Sequence, residues 1–435
     1  MIDVGIVSLL LLLGKLLRSK VRIIQRFFIP PSLLAGLTAL VLGPEVLGWL
    51  PLSSNMGTYA GILIALVFSC IPFTSQKTTG GGTSRIGRMW AYSQAGMLLQ
   101  WAVGGALGLW VLSLIWPVNP AMGLSMPAGF CGGHGTAAAI GESFASYGVE
   151  EMQSLAMTSA TVGIIASVVI GMWLISWGAA HGKTNYICKF ENLSPELRTG
   201  ILPPDKRKSM GMASFSAISL DSMTFNFAVI AMVALGGYGL AKLIALVWPA
   251  LMLPVFSCAF IVGIGVKWLM GKINVDEHIS KPILGHLSGA FTDYLVAFGV
   301  ASIRLEIVGR YIVPLLILLA IGLVLTLLYV FWVGARIHKS DPFEKSIFTW
   351  GWFTGTMAMG IALLRITDPD SKSGCLDDYA LAYLYIAPVE IALVSLSPLA
   401  FSSGLGWLFV LVCAVAGAAI VGLSAVKGWL SFNKH

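Results

Sequence analysis

The sequence has few charged residues for its length. Asp, Glu, Lys and Arg make up only 11% of its 435 residues, whereas a soluble protein of this size carries about 25%. Hydrophobic residues make up 57%, and apolar runs long enough to cross a bilayer as a helix recur along the chain. These runs lack the polar–apolar alternation of a membrane β-barrel, so we predict an all-α polytopic membrane protein.

Cysteine and catalytic motifs are also scarce. The six cysteines show no CxxC or other metal-ligand spacing, so we expect neither disulfides nor a transition metal. No GxSxG, HExxH or Walker A motif occurs, and Gly80–Gly82 follows no strand that would make it a phosphate loop. We therefore expect no enzyme and no cofactor. The net charge of +7 is explained by basic cytoplasmic loops rather than by nucleic-acid binding.

Hydropathy predicts eleven membrane spans. Segment Ile2–Leu17 lacks the basic start and cleavage site of a signal peptide, so it is interpreted as a retained helix. Two more apolar segments, near 121–144 and 346–366, are broken by glycines. The predicted spans lie near 2–17, 29–50, 57–75, 89–116, 151–179, 213–246, 251–270, 282–303, 310–334, 378–400 and 405–428.

Lysine and arginine predict the orientation. We place the N-terminus outside and let each glycine-broken segment enter and leave on one face. Of the 27 basic residues, only Lys242, Arg304 and Arg310 then fall outside the inner loops and helix ends. Reading either broken segment as a full crossing would place later basic loops outside, against the positive-inside bias. The C-terminus is therefore expected in the cytoplasm.

The arrangement of spans repeats. Residues 1–180 form a first repeat of five spans with one broken segment, and residues 213–403 form a second. A basic cytoplasmic connector, 181–212, joins them, and 404–435 add an eleventh helix and a tail. Five crossings give the halves opposite orientations, so we expect inverted repeats with one re-entrant hairpin from each face. Secondary transporters commonly have this plan and bind substrate near the midplane.

Glycine-rich motifs interrupt both broken segments: Gly132-Gly-His-Gly-Thr136 and Thr354-Gly-Thr-Met-Ala-Met-Gly360. A break at membrane depth frees backbone amides, which suit a carboxylate, and carbonyls, which suit Na⁺. The alternative is close helix packing through small residues, but the presence of a motif in both halves favours binding. The candidate binding residues are Gly132, Gly133, His134, Gly135, Thr136, Thr354, Gly355, Thr356, Met357 and Gly360.

The chain is expected to turn around His134, which two glycines flank. Glycine reaches positive φ without steric cost, so we expect alanine at Gly133 or Gly135 to block the approach to the backbone amides. His134 could relay a proton or donate to substrate. The favoured interpretation is a hinge residue that bonds a nearby carbonyl.

Four acidic residues lie within apolar segments, and bases are nearly absent there. A buried carboxylate without a basic partner is costly, so a bound Na⁺ or proton would supply the missing charge. Asp293 and Glu390 lie deepest and are the leading ion-coupling candidates. Asp221 is a third candidate, although Asp221 and Glu142 lie nearer segment ends, where they could simply reach water.

A separate acidic run follows the second broken segment. It is interpreted as a solvated loop face, which is the usual role of such runs. Its members are Asp368, Asp370, Asp377 and Asp378.

Three stretches resemble the bacterial sodium/glutamate symporter family. They are Leu11-Leu-Leu-Gly-Lys15, Ile29-Pro-Pro-Ser-Leu-Leu-Ala-Gly36 and Gly132-Gly-His-Gly-Thr-Ala-Ala138, and Tyr147-Gly148 follows at a similar spacing. The resemblance implies an inner-membrane, Na⁺-coupled symporter of acidic amino acids, usually dimeric. It also implies that the two hairpins carry the binding site and move as an elevator-type unit.

The resemblance carries over residue by residue only in the first half, to Gly132, Gly133, His134, Gly135 and Thr136. In the second half, Thr354–Gly360 stands where the family has a glycine-rich hairpin with a Thr-Pro element, and the proline is missing. The eleventh helix has no evident counterpart. From the resemblance, and allowing for these differences, the expected substrate is glutamate or a related small carboxylate.

Two other function classes remain as alternatives. The first is a proton-coupled transporter or exchanger of another small solute, with Asp293 or Glu390 as the proton site. The second is a channel or a membrane enzyme, for which a repeated pore segment or a catalytic pair would be typical, and the sequence has neither.

The predicted orientation is tested by cysteine labelling of intact cells at Asn119 and Asn192. A membrane-impermeant thiol reagent should label a cysteine at Asn119, in an outer loop, and should not reach one at Asn192, in the connector. Labelling at position 192 from outside would contradict the orientation.

Overall fold

The computed structural model describes residues 1–74, 83–186, 199–207, 209–211, 219–248, 252–369 and 371–430. Regular secondary structure within these ranges is helical throughout. Nine of the described helices are long and apolar enough to cross a membrane. The prediction of an all-helical, polytopic membrane protein is confirmed at this level.

The described part of the first half contains eight helices. Helix α5 continues through a π-helical turn, Gly108–Leu112, to Ile115. The bounds are α1 Ile2–Lys20, α2 Arg22–Arg26, α3 Pro31–Leu42, α4 Met56–Thr74, α5 Thr83–Leu107, α6 Ser125–Cys131, α7 Gly133–Ala145 and α8 Glu151–Ala180.

Nine helices lie in the described ranges of the second half. A single-turn 3₁₀ helix, Asp276–His278, precedes the third of them. The bounds are α9 Ser222–Val247, α10 Val255–Lys272, α11 Lys281–Ala301, α12 Leu305–Arg310, α13 Ile312–Ile337, α14 Pro342–Thr354, α15 Met357–Thr367, α16 Cys375–Ser402 and α17 Gly406–Val426.

The first two predicted spans are helices, but neither is among the nine long apolar ones. Helix α1 has Asp3, Lys15, Arg18 and Lys20 within its 19 residues. Helix α3 has only 12 residues, which at 1.5 Å per residue covers about 18 Å of a core about 30 Å thick. It starts at Pro31 because proline fits the first helical position.

The helices pack as two bundles. The first bundle contains α1, α3 and α4 from the first half and α9, α10 and α11 from the second. The second bundle contains α5 to α8 and α13 to α17. Helix α7 packs against α8 and α16 within its own bundle and against α4 and α11 of the other. It therefore lies at the boundary between the bundles.

A buried ion-pair cluster joins three helices of the second bundle. Asp378 on α16 pairs with Arg85 on α5 at 3.2 Å and with Lys345 on α14 at 3.5 Å. Asp368 is also buried, and its carboxylate accepts the backbone N–H groups of Lys372 and Ser373. The expectation of a solvated acidic face is therefore wrong for these two residues.

The remaining members of that run differ in position. Asp377 is exposed, as expected, and Asp370 lies outside the described residues. Gly80–Gly82 and Asn192 also lie outside the described residues. Within the predicted connector, the residues that are not described are 187–198, 208 and 212.

Candidate functional site

The first broken segment changes direction at Gly132 and Gly133. Helix α6 ends at Cys131, and α7 begins at Gly133 with φ +61°, in the left-handed region that favours glycine. Gly135 does not have a positive φ, and a Cβ there would meet only Ile64, at 3.7 Å. The expected turn is thus at Gly133 alone, and the expectation of a similar constraint at Gly135 is wrong.

The second broken segment is interrupted at Gly355 and Thr356. Helix α14 ends at Thr354, and Gly355 adopts φ −139° and ψ −95°, outside the helical region. Thr356 is extended, and its hydroxyl accepts the backbone N–H of Met359 at 3.4 Å. This is an N-cap, which starts α15 and satisfies one of its free amides.

The two breaks lie against each other. A Cβ placed on Gly133 would be 2.5 Å from Cγ2 of Thr356 and 2.7 Å from the carbonyl oxygen of Gly355. Helices α7 and α15 both begin at this point, so their N-terminal amides are brought to one place. Helix N-termini carry partial positive charge and unpaired N–H groups, which favour an anion.

Helices α5 and α8 hold the second break in place. Gln100 on α5 donates to the Phe353 carbonyl at 3.1 Å and to the Thr326 hydroxyl at 2.7 Å. Ser167 on α8 donates to the Gly351 carbonyl at 3.4 Å. Gln100 and Ser167 were not among the residues predicted from the sequence. The sequence feature that could have identified them is a polar side chain inside an otherwise apolar span.

Glu390 lies beside the first break. Thr136 donates to its Oε1 at 2.9 Å, and the Tyr383 hydroxyl donates to its Oε2 at 3.3 Å. A Cβ on Gly132 would lie 2.8 Å from the same Oε1. Within the described ranges no basic side chain forms an ion pair with Glu390. The carboxylate is thus held by neutral donors at the site where the breaks meet.

The other ion-coupling candidates lie elsewhere. Asp293 is on α11 in the first bundle, where Ser32 and Lys15 interact with its carboxylate. It therefore has a basic residue nearby, contrary to expectation. Asp221 is exposed and caps α9 by accepting the N–H groups of Met223 and Thr224. Of the three candidates, the structure brings only Glu390 to the breaks.

His134 points away from the break towards α8. It is buried, and its Nε2 lies 3.1 Å from the Thr161 hydroxyl, while Nδ1 is buried without a partner among the described residues. Its neighbour is a hydroxyl rather than the expected carbonyl. The contact between α7 and α8 agrees with a positioning role for the histidine.

Of the remaining candidates in the second motif, Thr354 and Gly360 are packed inside the protein, and Met357 is partly exposed. The Thr354 hydroxyl is buried and donates to the Trp350 carbonyl of its own helix at 2.7 Å. A Cβ on Gly360 would lie 2.6 Å from the Phe348 carbonyl oxygen, so this glycine serves close packing of α14 and α15. Met357, in contrast, is 38% exposed.

A cavity of about 1140 Å³ lies between the two bundles. Its lining comes from α4, α9 and α10 of the first bundle, from α7 and α8 of the second, and from the loops near Glu45 and Arg304. Glu142 on α7 faces this cavity, and its Oε2 lies 3.6 Å from the Cβ position of Gly61 on α4. The cavity ends on the same helix, α7, that begins at the breaks.

Comparison with known families identifies a match over most of the chain. The model of the family described as sodium/glutamate symporter matches residues 2–358 of the 435. The match includes the whole first broken segment and the second break at Gly355 and Thr356. No curated protein sequence matches the chain directly.

The geometry at the first break predicts different effects at its two glycines. Gly133→Ala should lower the free energy of unfolding by about 1–2 kcal/mol or more, because it combines a left-handed φ with a clash against the second break. Gly135→Ala is the matched control and should be close to wild type. Thermal unfolding of both purified variants measures the difference. Equal melting temperatures would contradict the assigned turn.

Proposed function

The chain belongs to the sodium/glutamate symporter family, and we propose that it carries glutamate or a related small carboxylate together with Na⁺. The family consists of membrane transporters, so the protein is not an enzyme. The observation that carries the substrate assignment is the meeting of two helix N-termini, α7 and α15, at the glycine breaks.

The substrate carboxylate is proposed to bind where the breaks meet. The N-terminal amides of α7 and α15 would donate hydrogen bonds to it, and both helix dipoles would stabilise its charge. A side chain at Gly133 would clash with Thr356 and with the carbonyl of Gly355, so the glycine lets the two breaks lie this close together. Thr356 and Met357 lie at the start of α15 and would line the same site.

The coupling cation is proposed to bind at Glu390. Its carboxylate is surrounded by the hydroxyls of Thr136 and Tyr383 and by the first break. Hydroxyl, carboxylate and carbonyl oxygens are the hard ligands that Na⁺ prefers. A cation there would neutralise a carboxylate that has no basic partner. It would also attract the substrate carboxylate to the adjacent amides.

Inverted repeats with two re-entrant hairpins are proposed from the helix contacts. Helix α3 packs against α11, and the corresponding pair, α10 and α4, also packs. The helices of the third predicted span in each half, α4 and α11, pack against each other, as a two-fold relation between the halves requires. The broken segments α6–α7 and α14–α15 would then be the two hairpins.

An elevator-type movement is proposed for the second bundle. Both breaks and Glu390 belong to this bundle, and the cavity separates part of it from the first bundle. The second bundle could therefore carry the site past the first. We further propose a homodimer in the bacterial inner membrane, with the N-terminus outside and the C-terminus in the cytoplasm, from the family and from the distribution of basic residues.

A proton-coupled transporter or exchanger of another small solute is the second candidate. The observation that favours it is the buried carboxylate of Glu390, which has only hydroxyl donors. A proton would neutralise this carboxylate as Na⁺ would. The two functions differ in the gradient that drives uptake.

Reconstituted protein tests the proposed function. Liposomes containing the purified chain should accumulate labelled glutamate or a related dicarboxylate when an inward Na⁺ gradient is imposed. Uptake should stop when choline replaces Na⁺, because the carboxylate at Glu390 then lacks its cation. Uptake driven by a proton gradient alone would favour the second candidate, and uptake of no carboxylate under either gradient would contradict the proposal.

Neutral variants test the assignment of the coupling site. Glu390→Gln should raise the Na⁺ concentration for half-maximal uptake by about tenfold or more, because it removes the charge from the proposed site. Asp293→Asn is the matched control and should leave the Na⁺ dependence unchanged, because Asp293 lies in the first bundle beside Lys15. Unchanged Na⁺ dependence in Glu390→Gln would show that the cation is held elsewhere.

A further inference from the structure

Glu142 is a buried carboxylate that the proposed mechanism does not use. It lies on α7 and faces the cavity between the bundles. Its Oε2 is buried and has no hydrogen-bond donor among the described residues. Across from it, α4 presents Gly61, which has no side chain to cover the carboxylate. The structure therefore leaves open space beside an unneutralised negative charge.

Gln153 supplies a second polar group at this place. It lies on α8, and its Oε1 is directed at Gly141, the residue before Glu142. Its Nε2 is buried and has no acceptor among the described residues. Buried polar groups without partners are uncommon in native proteins and often mark a bound water, ion or ligand. The unsatisfied atom of Gln153 is a donor, so it calls for an acceptor such as water, and the group at this place that can bind a cation is the carboxylate of Glu142.

The charges that line the cavity select for cations. They are three carboxylates, Glu45, Glu142 and Glu150, and one guanidinium, Arg304. Arg304 is paired with Glu150 at 3.4 Å, and both of these side chains are largely exposed. The only charged group on the deep, α7 side of the cavity is Glu142. A cleft with an excess of one charge concentrates ions of the opposite sign.

We propose that Glu142 forms a cation-binding site in this cavity, separate from the site at Glu390. The single carboxylate matches a single positive charge, and carboxylate oxygens are hard ligands suited to Na⁺. The ammonium group of an amino-acid substrate has the same charge and is the other possible source of the cation. The experiment distinguishes Na⁺ from an ammonium group by comparing NaCl with methylammonium chloride.

The role of this site rests on the proposed function. If α7 moves along α4 during transport, Glu142 leaves the cavity side of Gly61 and approaches apolar residues outside the cavity, such as Ile64. An ionised carboxylate is costly against such a surface. A bound cation would cancel the charge, so the site would permit movement only when it is occupied. The binding itself does not depend on the substrate assignment.

The experiment compares two identical substitutions at different depths of the cavity. Purified wild type, Glu142→Gln and Glu150→Gln are heated in increasing NaCl, with choline chloride keeping the ionic strength constant. The Na⁺ concentration for half-maximal stabilisation should rise by about tenfold or more in Glu142→Gln. It should stay at the wild-type value in Glu150→Gln, where the side chain is 72% exposed and already paired with Arg304.

Repeating both measurements in the Glu390→Gln background removes the response of the other proposed site. Glu142→Asp keeps the charge and should retain part of the Na⁺ response, which separates loss of binding from loss of folding. A Glu142-dependent response to methylammonium chloride but not to NaCl would assign the cation to the substrate ammonium group.

An unchanged Na⁺ and methylammonium response in Glu142→Gln would overturn the site. That result is distinct from failure of the proposed function, which would be the absence of Na⁺-driven carboxylate uptake by wild type.

Discussion

Two helices are interrupted at places that face each other inside an apolar protein, and the rest of the second bundle is arranged around this interruption. No water is available in a bilayer core to bond the freed backbone groups, so they must find partners in the protein or a ligand. Thr356 caps one amide of α15, and Gln100 and Ser167 bond carbonyls near the end of α14. The proposed substrate site uses the amides at the N-termini of α7 and α15.

The acidic residues fall into two groups that differ in how their charge is balanced. Asp378 forms ion pairs with Arg85 and Lys345. Asp368 accepts backbone N–H groups, so both carboxylates have partners within the chain. Glu390 has only hydroxyl donors, and Oε2 of Glu142 has no donor among the described residues. We propose that residues of the second group bind a cation from outside the chain. This difference separates structural acids from those proposed to take part in transport.

The three ion-coupling candidates show how far sequence reasoning extends to the site. Asp293, Glu390 and Asp221 all satisfied the same criterion, an acidic residue in an apolar segment. The criterion cannot report which neighbours the fold supplies. The structure places Lys15 and Ser32 near Asp293, makes Asp221 an exposed helix cap, and sets Glu390 against the glycine break. Glu142, treated as a residue that could simply reach water, faces a cavity instead.

The sequence by itself determined the membrane class, most of the helical spans, the approximate positions of both breaks and the family. These follow from hydrophobic length, helix-breaking glycines and a contiguous motif, all of which are local properties of the chain. Only the tertiary structure decided that Gly133 rather than Gly135 makes the turn, that the two breaks touch, and that Glu390 lies beside them. Those facts depend on contacts between segments more than 200 residues apart, such as Gly133 with Gly355 and Thr136 with Glu390. No local pattern encodes such contacts, because they arise from how helices from both halves pack.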